Sequence, residues 1–231
     1  MEIQILQLIE GAKKAKGLTV VIDVFRAFSL ACYVMDHKGT RIFPVGKLEE
    51  AYAIKEQHPD FILIGERNER IPEGFDFGNS PTHISQYDFD YKTVIHTTSA
   101  GTQGIINAVN ADQIITGSFV NAEAIAKYIQ KQKPDVVSLV CMGYSAQRPT
   151  EEDTFCAEYI KQYLEGSKPD FEQMKKTIRQ TSGQRLFLPE NQAHSPSSDF
   201  DMCLDLNRFS FVLKAEYNGE IKQIELHKIL I

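Results

Sequence analysis

Leu18-Thr19-Val20-Val21-Ile22-Asp23-Val24-Phe25-Arg26 runs straight into Ala27-Phe28-Ser29-Leu30-Ala31-Cys32-Tyr33-Val34-Met35, and this junction decides the fold. Leu18 to Ile22 is a short apolar run stopped by a charge, the pattern of a buried strand. Arg26 to Met35 has a broad apolar face and ends ahead of Gly39, which predicts a helix. Strand, polar turn and helix follow one another.

The same succession continues outward. Residues 2 to 6 alternate as a strand does, and Lys13 to Gly17 reads as a basic surface turn. Arg41 to Val45 is a second short strand, Leu48 to Gln57 an amphipathic helix and Phe61 to Ile64 a third strand. Thr93 to Ile95, Gln113 to Thr116 and Val136 to Cys141 are later strands. Helices are expected from about Ile105, over Asn121 to Gln132, and after Thr150, where Thr150 as N-cap and Asp153 three residues on form a variant capping box. Short apolar strands alternating with helices predict an α/β fold, a three-layer α/β/α arrangement with a largely parallel sheet. The end of the chain breaks the pattern. Ser210 to Glu216 and Glu220 to Leu226 alternate around Asn218-Gly219, so the sheet should be mixed and carry a C-terminal β-hairpin. Ser182 to Asp201, with Pro189, Pro196 and several serines, reads as a long loop. One domain over 1–231 is expected, with 182–231 its loop and hairpin region.

Composition narrows the function. The 231 residues are 42% hydrophobic and 24% charged, enough for a full core. A net charge of -6 argues against a nucleic-acid surface, which needs clustered Lys and Arg. No apolar run is long enough to span a bilayer, and Met1-Glu-Ile-Gln lacks the basic and apolar regions of a secretory signal, so a cytoplasmic protein without membrane partners is expected. Cys32, Cys141, Cys156 and Cys203 form no CxxC pair, which indicates neither a zinc site nor a redox pair.

Ligands of open α/β sheets bind beyond the carboxyl ends of the strands. Asp23 and Arg26, Glu66 and Arg67, Thr97 to Thr102, Ser118 with Asn121, and Gly143 to Asp153 all follow strands. Gly65 to Pro81 is the most unusual stretch. Asp76 sits between Phe75 and Phe77, Gly74 and Gly78 allow sharp turns, and Asn79-Ser80-Pro81 is turn chemistry, so an ordered loop with a fixed Asp76 is expected. Asp23, Glu66, Asp76, Glu152 and Asp153, gathered with arginines and helix N-termini, suit a magnesium ion holding a phosphorylated substrate. Hard carboxylate oxygens take the metal, while cations and backbone N–H groups take the anion. Plainer roles compete: Glu152 and Asp153 suit a helix N-terminus, Asp23 and Arg26 an internal ion pair, and His96 either a general acid or a hydrogen-bonded structural residue. Thr97 to Gly104 has the composition of an anion-binding turn but does not match the P-loop. Tyr144 and Arg148 either reach the site or face solvent.

Together, Val21-Ile-Asp-Val-Phe-Arg26, Gly65-Glu-Arg67, Gly74-Phe-Asp-Phe-Gly-Asn-Ser-Pro81, Thr97-Thr with Gly101-Thr102, Gly117-Ser-Phe-Val-Asn-Ala122 and Glu152-Asp153 with Cys156-Ala157 resemble the 2-phosphosulfolactate phosphatase (ComB) family, over roughly Leu18 to Leu164. The resemblance implies a magnesium-dependent phosphatase releasing phosphate and sulfolactate from 2-phosphosulfolactate, on a three-layer α/β/α fold with a mixed sheet. In some organisms that reaction serves coenzyme M synthesis. Asp23, Asp76 and Glu66 are then the catalytic candidates, and Asp23, Asp76, Glu152 and Asp153 the metal ligands. Arg26, Arg67, Asn79, Ser80, Thr97, Thr98, Gly101, Thr102 and Asn121 are the substrate-binding set. Either a metal-activated water or a carboxylate such as Asp23 attacks phosphorus.

Four positions near these motifs depart from the family pattern. Phe28 and Leu30 replace two threonines, Ala100 replaces an asparagine, and Gln103 replaces an arginine; Glu158 further replaces a small glycine. A lost cation at 103 should weaken binding of a doubly anionic substrate unless Arg26, Arg67 or Arg148 compensates. The alternatives are a non-catalytic binding module for an anionic metabolite, or a phosphatase of a different small phospho-acid. A homodimer stays an open option.

Overall fold

The computed structural model describes all 231 residues. Its first half runs β1 (Glu2–Gln7), α1 (Leu8–Lys14), β2 (Gly17–Ile22), α2 (Ala27–Asp36), β3 (Arg41–Pro44), α3 (Leu48–Gln57), β4 (Ile62–Gly65), α4 (Pro81–Ile84) and β5 (Thr93–Thr97). The second runs α5 (Gly101–Asn107), β6 (Ala111–Gly117), α6 (Ala122–Gln132), β7 (Val136–Cys141), α7 (Glu151–Leu164), α8 (Phe171–Gln180), α9 (Ser198–Cys203), β8 (Phe211–Asn218) and β9 (Gln223–Leu230). All nine strands join one mixed sheet in the order β1-β7-β2-β6-β8-β9-β3-β5-β4. Two parallel blocks, β1-β7-β2-β6 and β3-β5-β4, flank the antiparallel hairpin of β8 and β9.

Every residue of β2 is buried, as expected of a strand with helices over both faces. Alternation along the strands divides the core. Val21, Val140, Ile42, Val94 and Leu213 join α2 and α5 residues in one cluster, while Val20, Ile22, Leu139 and Val212 join α6 and α7 residues in another. Phe43, Leu63 and Ile95 pack with Ala51 and Ile54 of α3 in a third. Helices thus cover both faces, the expected three-layer arrangement.

The sheet is also curled. Five strand spacings separate β2 from β5, about 24 Å if the sheet were flat. Yet α5, starting four residues after β5, packs directly on β2: a Cβ on Gly104 would collide with Val21 and with the sulfur of Met142. Curling explains α2, whose residues Ala27 to Met35 are all buried. A helix apolar on every side must be covered on every side, and the sheet wraps around it. As a result the carboxyl ends of the two parallel blocks face one another. No helix is long and apolar enough to cross a membrane.

Several expectations are corrected. The Lys13 region belongs to α1, not to a surface turn alone. Helix α5 begins at Gly101 rather than Ile105. Residues 182 to 201 are not an open loop: they form 3-10 turns at Ser182–Phe187 and Pro189–Asn191 and then enter α9, preceded by α8, which sequence reading passed over. Asn218 pairs with Gln223, so the hairpin turn is the four residues 219–222, with Asn218 Oδ1 accepting from the N–H groups of Glu220 and Ile221. Thr150 occupies the N-cap of α7, but its hydroxyl makes no cap bond and is buried without a partner.

Candidate active site

Asp23 stands where β2 ends. Its Oδ1 accepts from the N–H of Ala27 at 3.1 Å in the first turn of α2, and Oδ2 lies against Gly101 at the start of α5. The residue is only 4% exposed. Burial pushes its carboxyl up to about 7, with the Ala27 N–H opposing and the charges of Glu66 and Glu152 adding to the rise.

Opposite, β4 delivers Glu66. Its carboxylate accepts from the Ser99 N–H at 2.6 Å, the Ser99 hydroxyl at 3.2 Å and the Glu69 N–H at 2.9 Å, tying the loop after β4 to the loop after β5. Arg67 and Arg70 exchange backbone hydrogen bonds around Asn68 and Glu69, both left-handed at φ 52° and 63°. Ser145 and Ala146, in the loop after β7, are left-handed too, at φ 51° and 56°. Backbone of this kind is costly for non-glycine residues and concentrates where structure serves function.

Helix α7 supplies the third side. Asp153 Oδ1 accepts from the Val24 N–H at 2.8 Å and Oδ2 from the Gly143 N–H at 2.7 Å, so it clamps the ends of β2 and β7. Burial, then the charges of Glu152 and Asp23, hold its carboxyl well above the usual range. Glu152, 2% exposed, has one oxygen 3.5 Å from two nitrogens of Arg185 and the other, Oε2, buried without a hydrogen-bond partner.

Arg185 comes from the segment expected to be a loop. Its Nε donates to Glu69 Oε1 at 3.0 Å and Nη1 to the Ser182 carbonyl at 2.7 Å, and the guanidinium lies between the rings of Phe25 and Tyr144, 5.6 and 5.2 Å from their centroids. Burial works against its charge, but Glu152 and Glu69 more than offset that. Asp23, Arg26, Glu66, Glu69, Tyr144 and Arg185 are among the residues enclosing a cavity of about 30 Å³, room for little more than water. A groove of about 680 Å³ lies elsewhere, against α8 and α9.

The other expected site residues divide. Arg26 lines the cavity but is already paired: Nη1 donates to Asp199 Oδ2 and to the His194 carbonyl, both at 2.8 Å. Asp199, fully buried, also accepts from the Ser80 hydroxyl and the Thr82 N–H. Ser80 therefore braces this pair and caps α4 through the His83 N–H. Asn79 lines the cavity, with Oδ1 3.2 Å from His96 Nε2. Arg67 turns away, donating to the carbonyls of Glu66 and Gly46 and to the Thr97 hydroxyl. Thr98 and Thr102 bond each other across the start of α5. Asn121 completes a capping box with Ser118 and donates to the Phe211 carbonyl. Gly101 serves by being small, since a Cβ there would meet Asp23 and Ala27.

Asp76 is placed apart from the cluster. It is fixed, as expected, but its carboxylate accepts from the Leu63 N–H at 2.8 Å and faces Lys55, with the side chain 44% exposed. β4 is an edge strand, and Asp76 satisfies a backbone donor that no neighbouring strand can reach. Phe28 and Leu30 sit in the core, so the hydroxyls lost there lie outside the cavity lining. Gln103 Nε2 donates to the Gly46 carbonyl that Arg67 also uses. Sequence reading includes Ser99 only as part of the Thr97 to Thr102 turn and misses Glu69, Arg185 and Asp199. Of these three, Glu69, two residues past Arg67, is the one within reach of a strand-end argument.

Magnesium fits this donor set in chemistry. Asp23, Glu66 and Glu69 line the cavity, and Glu152, outside the lining but beside Arg185, has a buried carboxylate oxygen, Oε2, that no protein donor satisfies. No three His, Cys, Asp or Glu side chains converge on one point. Magnesium does not require that, since it is commonly held by one or two carboxylates together with substrate oxygens and water. Asp23, Glu69 and Glu152 each have an oxygen left to offer, and Asp23 and Glu152 are the buried ones.

The model of the 2-phosphosulpholactate phosphatase family matches residues 3–218. A probable 2-phosphosulfolactate phosphatase of Bacillus subtilis (strain 168) is 30% identical over 210 residues, 90% of this chain and 91% of the relative. A protein of the same name from Clostridium perfringens (strain 13 / Type A) is 27% identical over 230 residues, 93% and 92% of the two chains. One from Caldicellulosiruptor saccharolyticus is 36% identical over 155 residues, 65% and 64%. A match of this extent, over the strands and loops that build the cavity, means that the chain belongs to the 2-phosphosulpholactate phosphatase family.

Proposed function

We propose that this protein is a magnesium-dependent phosphomonoester hydrolase that releases phosphate from 2-phosphosulfolactate. The observation that carries the reading is Asp23, a buried carboxyl at a strand end, raised to about 7 and surrounded by Glu66, Glu152 and Asp153. Four such groups clustered without function would be a burden on stability. Asp23 and Glu152 would hold the ion. When bound, magnesium supplies positive charge at the phosphate oxygens. Glu66 and Asp153 hold the loops in register, and the rings of Phe25 and Tyr144 shield the site from bulk water. In the reaction the ester P–O bond breaks, the ester oxygen becomes the hydroxyl of sulfolactate, and a water oxygen ends on phosphorus. Water attacks phosphorus directly, or Asp23 attacks it to give an acyl phosphate that water then cleaves at phosphorus, returning the Asp23 carboxylate; trapping of phosphorylated Asp23 by rapid quenching during turnover marks the second route. All four cysteines are free and buried, which suits a reducing compartment such as the cytoplasm.

A panel of phosphomonoesters, with 2-phosphosulfolactate and 2-phospholactate included, tests the reading by phosphate release with magnesium and with chelator. Selective release from 2-phosphosulfolactate, lost on chelation, is expected. The small cavity favours one rival, a binding module for an anionic metabolite. Sulfolactate binding without turnover of any phosphoester would establish that rival instead.

A further inference from the structure

Two cations line the cavity, Arg26 and Arg185. Arg26 spends its charge on the fully buried Asp199. Arg185 faces the acidic groups of the site instead. Its Nε donates to Glu69 Oε1 at 3.0 Å, and Nη1 and Nη2 each lie 3.5 Å from Glu152 Oε1. Nη1 also donates to the Ser182 carbonyl at 2.7 Å and Nη2 to the Phe25 carbonyl at 3.3 Å. Every nitrogen of this guanidinium has a protein partner, and the rings of Phe25 and Tyr144 flank it. What it adds to the site is therefore charge. It is a fixed and permanently ionised cation, beside Glu69 and Glu152 and sharing a cavity of about 30 Å³ with Asp23 and Glu66.

Glu152 meets the guanidinium through Oε1 and keeps Oε2 buried and unpartnered. One carboxylate thus serves two cations, the arginine and a metal. Buried carboxylates left without a counter-charge destabilise a fold, and Arg185 supplies that charge when no ion is bound. The same charge repels an ion. We propose that Arg185 is the internal counter-ion of the site: it stands in for magnesium in the metal-free protein, competes with it, and so sets how tightly the ion binds. This rests on the reading of Asp23 and Glu152 as the pair that holds magnesium.

The test is calorimetric titration of magnesium alone, without substrate, into the whole chain as wild type, Arg185→Gln and Arg185→Lys, with thermal melts in magnesium and in chelator. Removing a unit charge close to a divalent ion should tighten binding by about 10-fold or more in Arg185→Gln, and magnesium should raise the Tm of that variant by more than it raises that of wild type. Arg185→Lys keeps the charge without the planar fork and should bind the ion as wild type does. Adding Glu152→Gln to Arg185→Gln should abolish the gain, which locates it at this carboxylate. Unchanged or weaker binding in Arg185→Gln overturns the proposal, and so does equal tightening in Arg185→Lys. An Arg185→Gln chain that stays unfolded in saturating magnesium overturns it too, because the ion then fails to replace the cation. Phosphate release from 2-phosphosulfolactate separates this proposal from the reading beneath it. Magnesium-dependent release by wild type without tighter binding in Arg185→Gln removes the role of Arg185 alone. Tighter binding in Arg185→Gln without release by wild type keeps that role and removes the phosphatase reading, and absence of magnesium binding in all three proteins removes both.

Discussion

Gly101 lies so close to Asp23 that a Cβ placed on it would stand 2.8 Å from Asp23 Oδ2, and equally close to the Cβ of Ala27. Neither neighbour is the loose end of a flexible side chain, so one or the other must shift. Gly101→Ala should therefore cost roughly 1–3 kcal/mol of stability and a large part of the turnover, because the displaced group is the central carboxylate. Denaturant unfolding and phosphate release check this together. Wild-type values in both would show that the contact is not restrictive.

Asp76 and Asp23 separate cleanly. Asp76→Asn keeps an acceptor for the Leu63 N–H and gives up only a half-exposed contact with Lys55 at 3.7 Å, worth at most about 1 kcal/mol. Turnover in Asp76→Asn should stay within a few-fold of wild type, measured under conditions where Asp23→Asn is inactive. Equal loss in both variants would return Asp76 to the site.

Removing Asp199 leaves the Arg26 charge buried without its partner. Asp199→Asn should lower stability by roughly 3–5 kcal/mol, read from denaturant unfolding. A loss below about 1 kcal/mol would mean that Arg26 is free to leave the pair.

Asp23, with the likewise raised Asp153 acting in the same sense, and His96 give opposite pH slopes in the metal-free protein. Asp23 is raised from 3.8 to about 7, so between these values the folded chain keeps a proton that the unfolded chain has released. Its contribution is greatest at low pH and is lost as pH rises toward 7. Burial, helped by Arg67, lowers His96 from 6.5 to about 4. The unfolded chain then binds the extra proton in that window, and stability is lost as pH falls through it. In thermal melts from pH 4 to 6.5 with chelator, His96→Asn should steepen the decline of Tm with rising pH, and Asp23→Asn should flatten or reverse it. Identical slopes in the three proteins would contradict both assignments.

Much of this architecture is legible in the residues themselves. Val136 to Cys141 and Leu48 to Gln57 fall where apolar pattern places them, and Asp23 and Glu66 stand at strand ends, where ligands of α/β sheets gather. The aromatics and glycines flanking Asp76 signal a fixed carboxylate without revealing that it is fixed to the N–H of Leu63 on the edge strand. Helix α5 begins within Thr-Ser-Ala-Gly-Thr, whose threonines, serine and glycine are weak helix formers. Arg185 and Asp199 lie in a proline- and serine-rich stretch with no periodicity, and their partners, Glu69, Glu152 and Arg26, are 33 to 173 positions away. Nor does local pattern encode the curling of the sheet, which arises from α5 packing across the molecule on β2.

The central claim is that Asp23 and Glu152, with magnesium, hydrolyse a phosphomonoester in the cavity between the two parallel blocks. It is tested most directly by single-turnover phosphate release from 2-phosphosulfolactate by wild type, Asp23→Asn and Glu152→Gln, each with magnesium and with chelator. Release by wild type with magnesium alone, and by neither variant, is the predicted result. Release that persists in folded Asp23→Asn, or that is indifferent to chelation in wild type, would contradict it.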